Sequence, residues 1–205
     1  MLVDKNLRKL DDFLMKPVSR KFYIQKFGDF LSYKISFEIR SYDGGFNSHA
    51  FEVGHFLSSI LNLFVFRTLL PLKIIFQNRY GERLFVLERP ASWIYKGETL
   101  LRKDVDGRLI ARLNQNFIAN KILIKDPLDR VRAVVRRKGG IGLIGKQYYE
   151  ILNPDEREVM GTFRWKGWLL ANRCELELKE AAEDEFLFAV SLASAVQVCL
   201  YILKK

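Results

Sequence analysis

Eighteen consecutive residues, Phe186 to Leu203, carry no formal charge, and this run constrains the fold more than any other segment. As an α-helix it would be about 27 Å long at 1.5 Å per residue, close to the thickness of a hydrocarbon core. Glu183, Asp184 and Glu185 precede it and Lys204 and Lys205 follow it. That charge order suits a helix dipole in water as well as in lipid. Ser191, Ser194 and Gln197 recur inside it at three-residue intervals. Such a helix needs a dry surrounding, supplied either by the rest of the chain or by a bilayer. Both readings stand on sequence alone.

The middle of the chain offers a way to enclose it. Four segments place a turn before an arginine-bearing apolar stretch: Tyr80-Gly81-Glu82-Arg83 before Leu84 to Leu87, Asp106-Gly107-Arg108 before Leu109 to Leu113, Leu128-Asp129-Arg130 before Val131 to Val135, and Asp155-Glu156-Arg157 before Val159 to Phe163. Each follows another apolar stretch: Leu72 to Phe76, Thr99 to Leu101, Ile122 to Ile124 and Tyr148 to Leu152. The unit is a β-hairpin with glycine or aspartate in the turn. Alternation puts Val131, Ala133 and Val135 on one face and Arg130, Arg132 and Arg136 on the other, and sets Leu109, Ala111 and Leu113 against Arg108, Ile110 and Arg112. Half-buried strands of this kind fit an antiparallel sheet and not a doubly wound parallel one. Further strands are expected at Phe22 to Phe27, Tyr33 to Ile39, Phe163 to Trp165, Trp168 to Leu170 and Arg173 to Leu178. If they close into a barrel, the apolar helix fits on its axis and no strand edge is left open.

The chain has 205 residues, 49% of them hydrophobic, and no Ser- or Gly-rich linker divides it, so one compact domain is expected. Leu7, Leu10 and Leu14 lie at helical spacing while Asp4, Asp11 and Asp12 interrupt any secretory core, which predicts an amphipathic helix over 1–19. The barrel domain would then run over 20–205, with its terminal helix at 183–203. Two cysteines, Cys174 and Cys199, read as reduced buried thiols of a cytoplasmic protein, at most peripheral to a membrane.

With these features the chain resembles the tubby C-terminal-like superfamily, in its phospholipid scramblase and LURP-one-related branches. The resemblance is carried by Asn78-Arg79-Tyr80-Gly81-Glu82-Arg83-Leu84-Phe85-Val86-Leu87-Glu88-Arg89-Pro90, similar to a scramblase segment ending in Leu-Glu-Arg-Pro, by the repeats Asp104 to Leu113 and Asp126 to Val135, and by the terminal helix. It implies an all-β closed antiparallel barrel of about twelve strands around a buried C-terminal helix. It also implies phosphoinositide binding of the tubby kind or calcium-dependent lipid translocation of the scramblase kind. The cysteine-rich acylation segment of scramblases has no counterpart here. Glu180 to Glu185 holds four acids without the alternating Asp/Asn pattern and central glycine of a calcium loop.

The densest basic stretch is Lys121 to Lys138, in which Lys121, Lys125, Arg130, Arg132, Arg136, Arg137 and Lys138 face only Asp126 and Asp129, a local balance of +5. Guanidinium groups match phosphate geometry, and each cation near an anionic bilayer adds about 1 kcal/mol. An acidic-lipid or phosphoinositide surface is therefore one expectation for these seven residues, and an ordinary solvated barrel wall is the bland alternative. Nucleic acid or an acidic protein could use the same charges, with Phe163, Trp165 and Trp168 close by; the tryptophans read better as hairpin and core anchors. Gly139 to Lys146 lacks the Ser/Thr that a phosphate loop needs after its lysine, because Gln147 stands there. His49 and His55 have no nucleophile at supporting spacing, and Asp104 and Asp106 read as turn residues. A non-catalytic binding or adaptor protein without metal or cofactor is expected. The rival is a membrane-anchored scramblase-like protein.

Overall fold

The computed structural model describes residues 20–27, 35–53, 71–90, 98–103, 106–115, 120–138, 147–166, 173–179 and 184–202. They form twelve strands and one helix: β1 (Arg20–Phe27), β2 (Ser36–Ser41), β3 (Asn47–Glu52), β4 (Leu72–Asn78), β5 (Arg83–Arg89), β6 (Glu98–Lys103), β7 (Leu109–Gln115), β8 (Lys121–Lys125), β9 (Val131–Lys138), β10 (Gln147–Leu152), β11 (Val159–Lys166), β12 (Arg173–Leu178) and α1 (Glu185–Ile202). Each strand pairs antiparallel with its neighbours in sequence, and β1 closes on β12. The predicted N-terminal helix over 1–19, the strand at Trp168 to Leu170 and the glycine run Gly139 to Lys146 lie outside the described residues, as do His55 and Asp104.

The barrel is filled by its own helix. Alternate residues point inward, among them Phe22 and Ile24 on β1, Phe37 and Ile39 on β2, Ile74 and Phe76 on β4, and Phe163 and Trp165 on β11, and all are buried. Every residue of α1 from Leu187 to Leu200 is buried, the two serines included. A helix that is apolar all round has no preferred side to offer a single layer, and a closed sheet covers every side at once. Some polar atoms on the axis find partners, while the buried Ser194 hydroxyl and Gln197 Oε1 have none among the described residues. Ser191 donates to the Leu187 carbonyl (2.6 Å), Gln197 Nε2 to Gln115 Oε1 (2.7 Å), and Trp165 Nε1 to the Ala195 carbonyl (3.1 Å). Phe188 meets Phe22 and Phe46, each at 5.3 Å between ring centres. Asp184 caps the helix by accepting from the Phe186 amide (2.9 Å). Among the described residues no helix is long and apolar enough to cross a membrane. The span reading gives way to enclosure.

The hairpin repeat has one physical basis. Five turns at the barrel end where α1 begins each place one residue in the left-handed region: Gly44 (φ 73°), Gly81 (φ 80°), Gly107 (φ 64°), Asp129 (φ 64°) and Glu156 (φ 58°). In four of them a residue three positions earlier holds the loop with its side chain, and Ser41 Oγ does so before Gly44 by accepting from the Phe46 amide (2.8 Å). Asn78 Oδ1 accepts from the Tyr80 and Glu82 amides, Asp126 Oδ1 from Leu128 and Arg130, and Asn153 Oδ1 from Arg157 and Glu158, all within 2.9 to 3.2 Å. A turn followed by one left-handed residue is a recurrent short hairpin connection. Asp106 serves its own turn by accepting from the Arg108 amide at 2.9 Å.

Strict alternation fails where bulges intervene. Leu101 pairs with Ala111 but Arg102 pairs with Leu109, so Ile110 is the additional residue and packs against the core where Leu109 was expected. On β9 the register slips between Ile124/Ala133 and Lys125/Val131, leaving Arg132 as the extra residue. Beyond that bulge Ala133 and Val135 still face inward. Arg137 follows them to the inner face beside buried Tyr149, while Val134, Arg136 and Lys138 face outward.

Candidate anion-binding surfaces

The predicted basic stripe is only partly a stripe. Lys121, Lys125, Arg136 and Lys138 lie on the outer wall of β8 and β9, and Arg130 sits in the turn between them. Arg132 leans over the Phe186 ring at the mouth of the barrel (5.7 Å), and Arg137 belongs to the inner face. Five of the seven are met by carboxylates. Lys121 binds Glu156 (2.6 Å), Lys125 binds Asp129 (3.0 Å), Arg130 binds Asp126 (2.8 Å), and Lys138 binds Glu150 (2.6 Å). Arg136 lies between Glu156 (3.4 Å) and Glu150 (3.8 Å) and joins them into one chain of charges. Glu150 and Glu156 come from β10 and the turn after it, outside the stretch whose sequence balance looked so basic.

These contacts leave a titration signature. The Lys121 ammonium, donating to Glu156, holds that carboxyl below its ordinary range despite partial desolvation, and Arg136 helps. The hydrogen bond and charge of Glu150 raise the Lys138 ammonium. Burial alone would raise Asp126; hydrogen bonds from the Arg130 side chain and amide and from the Leu128 amide outweigh it and lower that carboxyl.

Two guanidiniums without a carboxylate partner lie on another part of the wall. Among the described residues no carboxylate comes within ion-pair distance of Arg164 on β11 or Arg173 on β12. They are held by rings instead: Arg173 lies 4.0 Å above Tyr23, and Arg164 lies 5.8 Å from the centre of Tyr148. Tyr23 also stacks on Tyr42 with centres 3.8 Å apart. Desolvation, the hydrogen bond with Tyr23 and the Glu175 carboxylate push the Tyr42 hydroxyl up to about 12. Sequence reading missed this group because its members are far apart along the chain. Only the pairing of β1 with β12 brings Tyr23 and Arg173 together. Trp165 is a core anchor, as expected. His49 is exposed on the outer face of β3. Among the described residues no group of three metal-ligating side chains comes together.

Comparison of the chain with protein-family models, curated proteins and solved structures returns no match. The architecture, a closed twelve-stranded antiparallel barrel around one helix, is consistent with the tubby-like fold class in general.

Proposed function

We propose that the protein is a non-catalytic binding domain that docks on anionic lipid through the β8–β9 hairpin. The observation that carries this reading is Leu128, which stands 72% exposed at the tip of the turn, with Arg130 and Lys125 flanking it and Arg132 behind. An apolar knob set among cations suits the interface of a charged bilayer, where the side chain enters the headgroup layer and the cations meet phosphate. The carboxylates beside those cations do not forbid it. The Lys125–Asp129 pair, with its carboxylate exposed, is worth at most about 1 kcal/mol and a phosphate of higher charge can displace it, while Arg130 stays on buried Asp126 and offers phosphate its remaining N–H groups. Within the tubby-like class we place the chain nearest the scramblase and LURP-one-related branch, on the strength of Asn78 to Pro90 and the enclosed helix.

Vesicle co-sedimentation tests the reading. Binding is expected to vesicles of phosphatidylcholine doped with phosphoinositide and not to phosphatidylcholine alone. Reversing Arg130, Arg132 and Arg136 to glutamate is expected to weaken it at least about 100-fold, given about 1 kcal/mol per cation and the added repulsion. Leu128→Ser should weaken it severalfold. Unchanged binding by the reversed variant, with the fold intact by circular dichroism, would remove this surface.

A further inference from the structure

A single cross-strand row runs across the outer wall of six strands: Arg40, Tyr23, Glu175, Arg164, Tyr148 and Lys138. Each member is the register partner of the next. Tyr23 and Tyr148 are three strands apart, roughly 14 Å along the wall at the usual strand spacing. Each ring carries a guanidinium on its face, Arg173 for Tyr23 and Arg164 for Tyr148. Two shallow depressions of about 200 and 190 Å³ lie along the row. The first is lined by Tyr23, Arg40 and Arg173, the second by Tyr42, Tyr148 and Arg164.

From this arrangement we infer that the wall of β1, β12, β11 and β10, which meets the β8–β9 hairpin only at Lys138, is a second ligand surface that takes single-stranded nucleic acid. Two properties of the row favour that occupant. Arg164 and Arg173 are oriented by rings and not consumed by carboxylates, so their N–H edges are set for phosphate. Exposed Tyr42 and half-buried Tyr148 supply ring faces at separate points, as sequence-tolerant stacking of successive bases requires. Of the acids near the row, Glu38 is paired with Arg40 and Glu177 with Lys21, which reduces their repulsion of a phosphate backbone; Glu175, the row member between Tyr23 and Arg164, lines the second depression and opposes phosphate there, so the phosphates are placed at Arg164 and Arg173 on either side of it. Shape separates this ligand from a bilayer. The row runs obliquely across half of a convex barrel wall, from Arg40 near the end of β2 to Lys138 at the end of β9; a flat membrane meets such a wall only along a line, and a flexible strand can follow it.

The test is fluorescence anisotropy with a labelled single-stranded oligonucleotide of about twelve nucleotides at low salt, with heparin as a polyanion lacking bases. Saturable micromolar binding is expected. Arg164→Glu with Arg173→Glu should weaken it at least about 30-fold, and the milder R164Q/R173Q pair serves if the reversal disturbs the fold. Tyr42→Ala with Tyr148→Ala should cost about tenfold for the oligonucleotide and leave heparin unchanged, with Tyr→Phe at both positions restoring binding. The triple reversal of Arg130, Arg132 and Arg136 should change oligonucleotide affinity less than about threefold, which separates this site from the hairpin. The inference is overturned by absence of saturable binding, by equal sensitivity of heparin and oligonucleotide to the tyrosine variants, or by loss tracking the hairpin arginines. Displacement of the oligonucleotide by phosphoinositide vesicles that depends on Arg164 and Arg173 would assign the surface to lipid instead.

Discussion

Leu192→Asp is expected to abolish the folded barrel, whereas Leu192→Ala is expected to leave it folded and weaker by about 2–5 kcal/mol. Leu192 lies mid-helix with 0% of its surface exposed, and its neighbours Ala193, Ala195 and Val196 are equally dry. The alanine variant loses transfer energy and leaves a cavity. The aspartate variant must bury a charge with no cation on α1 to receive it, at a cost of several kcal/mol on top of the lost packing. A domain of this size has roughly 5–15 kcal/mol in all, so the sum approaches the whole stability. Far-UV circular dichroism and urea unfolding separate the cases. A native strand spectrum and an ordinary unfolding midpoint for the aspartate variant would mean that the strands do not depend on what lies between them.

The second large effect is expected at Gly161 on β11, a position where the packing excludes a side chain although nothing in the local sequence says so. A Cβ there would stand 2.8 Å from Leu178 Cδ2, 2.9 Å from the Glu177 carbonyl oxygen and 3.4 Å from Ile151 Cδ1. The leucine tip can rotate away, but the carbonyl oxygen is fixed in the β11–β12 ladder, where Gly161 is the register partner of Leu178. Overpacking of this kind costs roughly 1–3 kcal/mol, and Gly161→Val, with two further carbons, is expected at or above the upper end. The midpoint of urea unfolding should fall sharply with an unchanged slope. A midpoint within error of the wild type would show that β11 and β12 are not held this close.

How far sequence reached follows from the range of each signal. The four central hairpins and the helix were legible because their determinants are local: a turn residue that tolerates a left-handed conformation, an apolar run of strand length, and a charge-free stretch of eighteen. Glu156 fits that logic poorly by residue type, yet Asn153 behind it holds the turn. The bulges were not legible, since an extra residue such as Ile110 or Arg132 shifts a side chain without altering composition. The candidate site suffered most. The Lys121–Lys138 balance omitted Glu150 and Glu156, which reach it across the β9–β10 pairing and from the next turn. The Tyr23–Arg173 and Tyr148–Arg164 pairs exist only through register between strands. Charge counted along a chain estimates a surface well only when that surface is built from one hairpin.

The most direct test of the enclosed helix uses its own thiol. Cys199 on α1 and Cys174 on β12 are both buried and form no disulfide, and burial pushes the Cys174 thiol well above its ordinary range. The 205-residue chain in buffer free of lipid and detergent should keep both cysteines unlabelled by a water-soluble maleimide over the time in which a urea-unfolded sample reacts completely. Rapid native labelling of Cys199, or protection of it that arises only when lipid or detergent is added, would contradict a barrel closed around its own terminal helix.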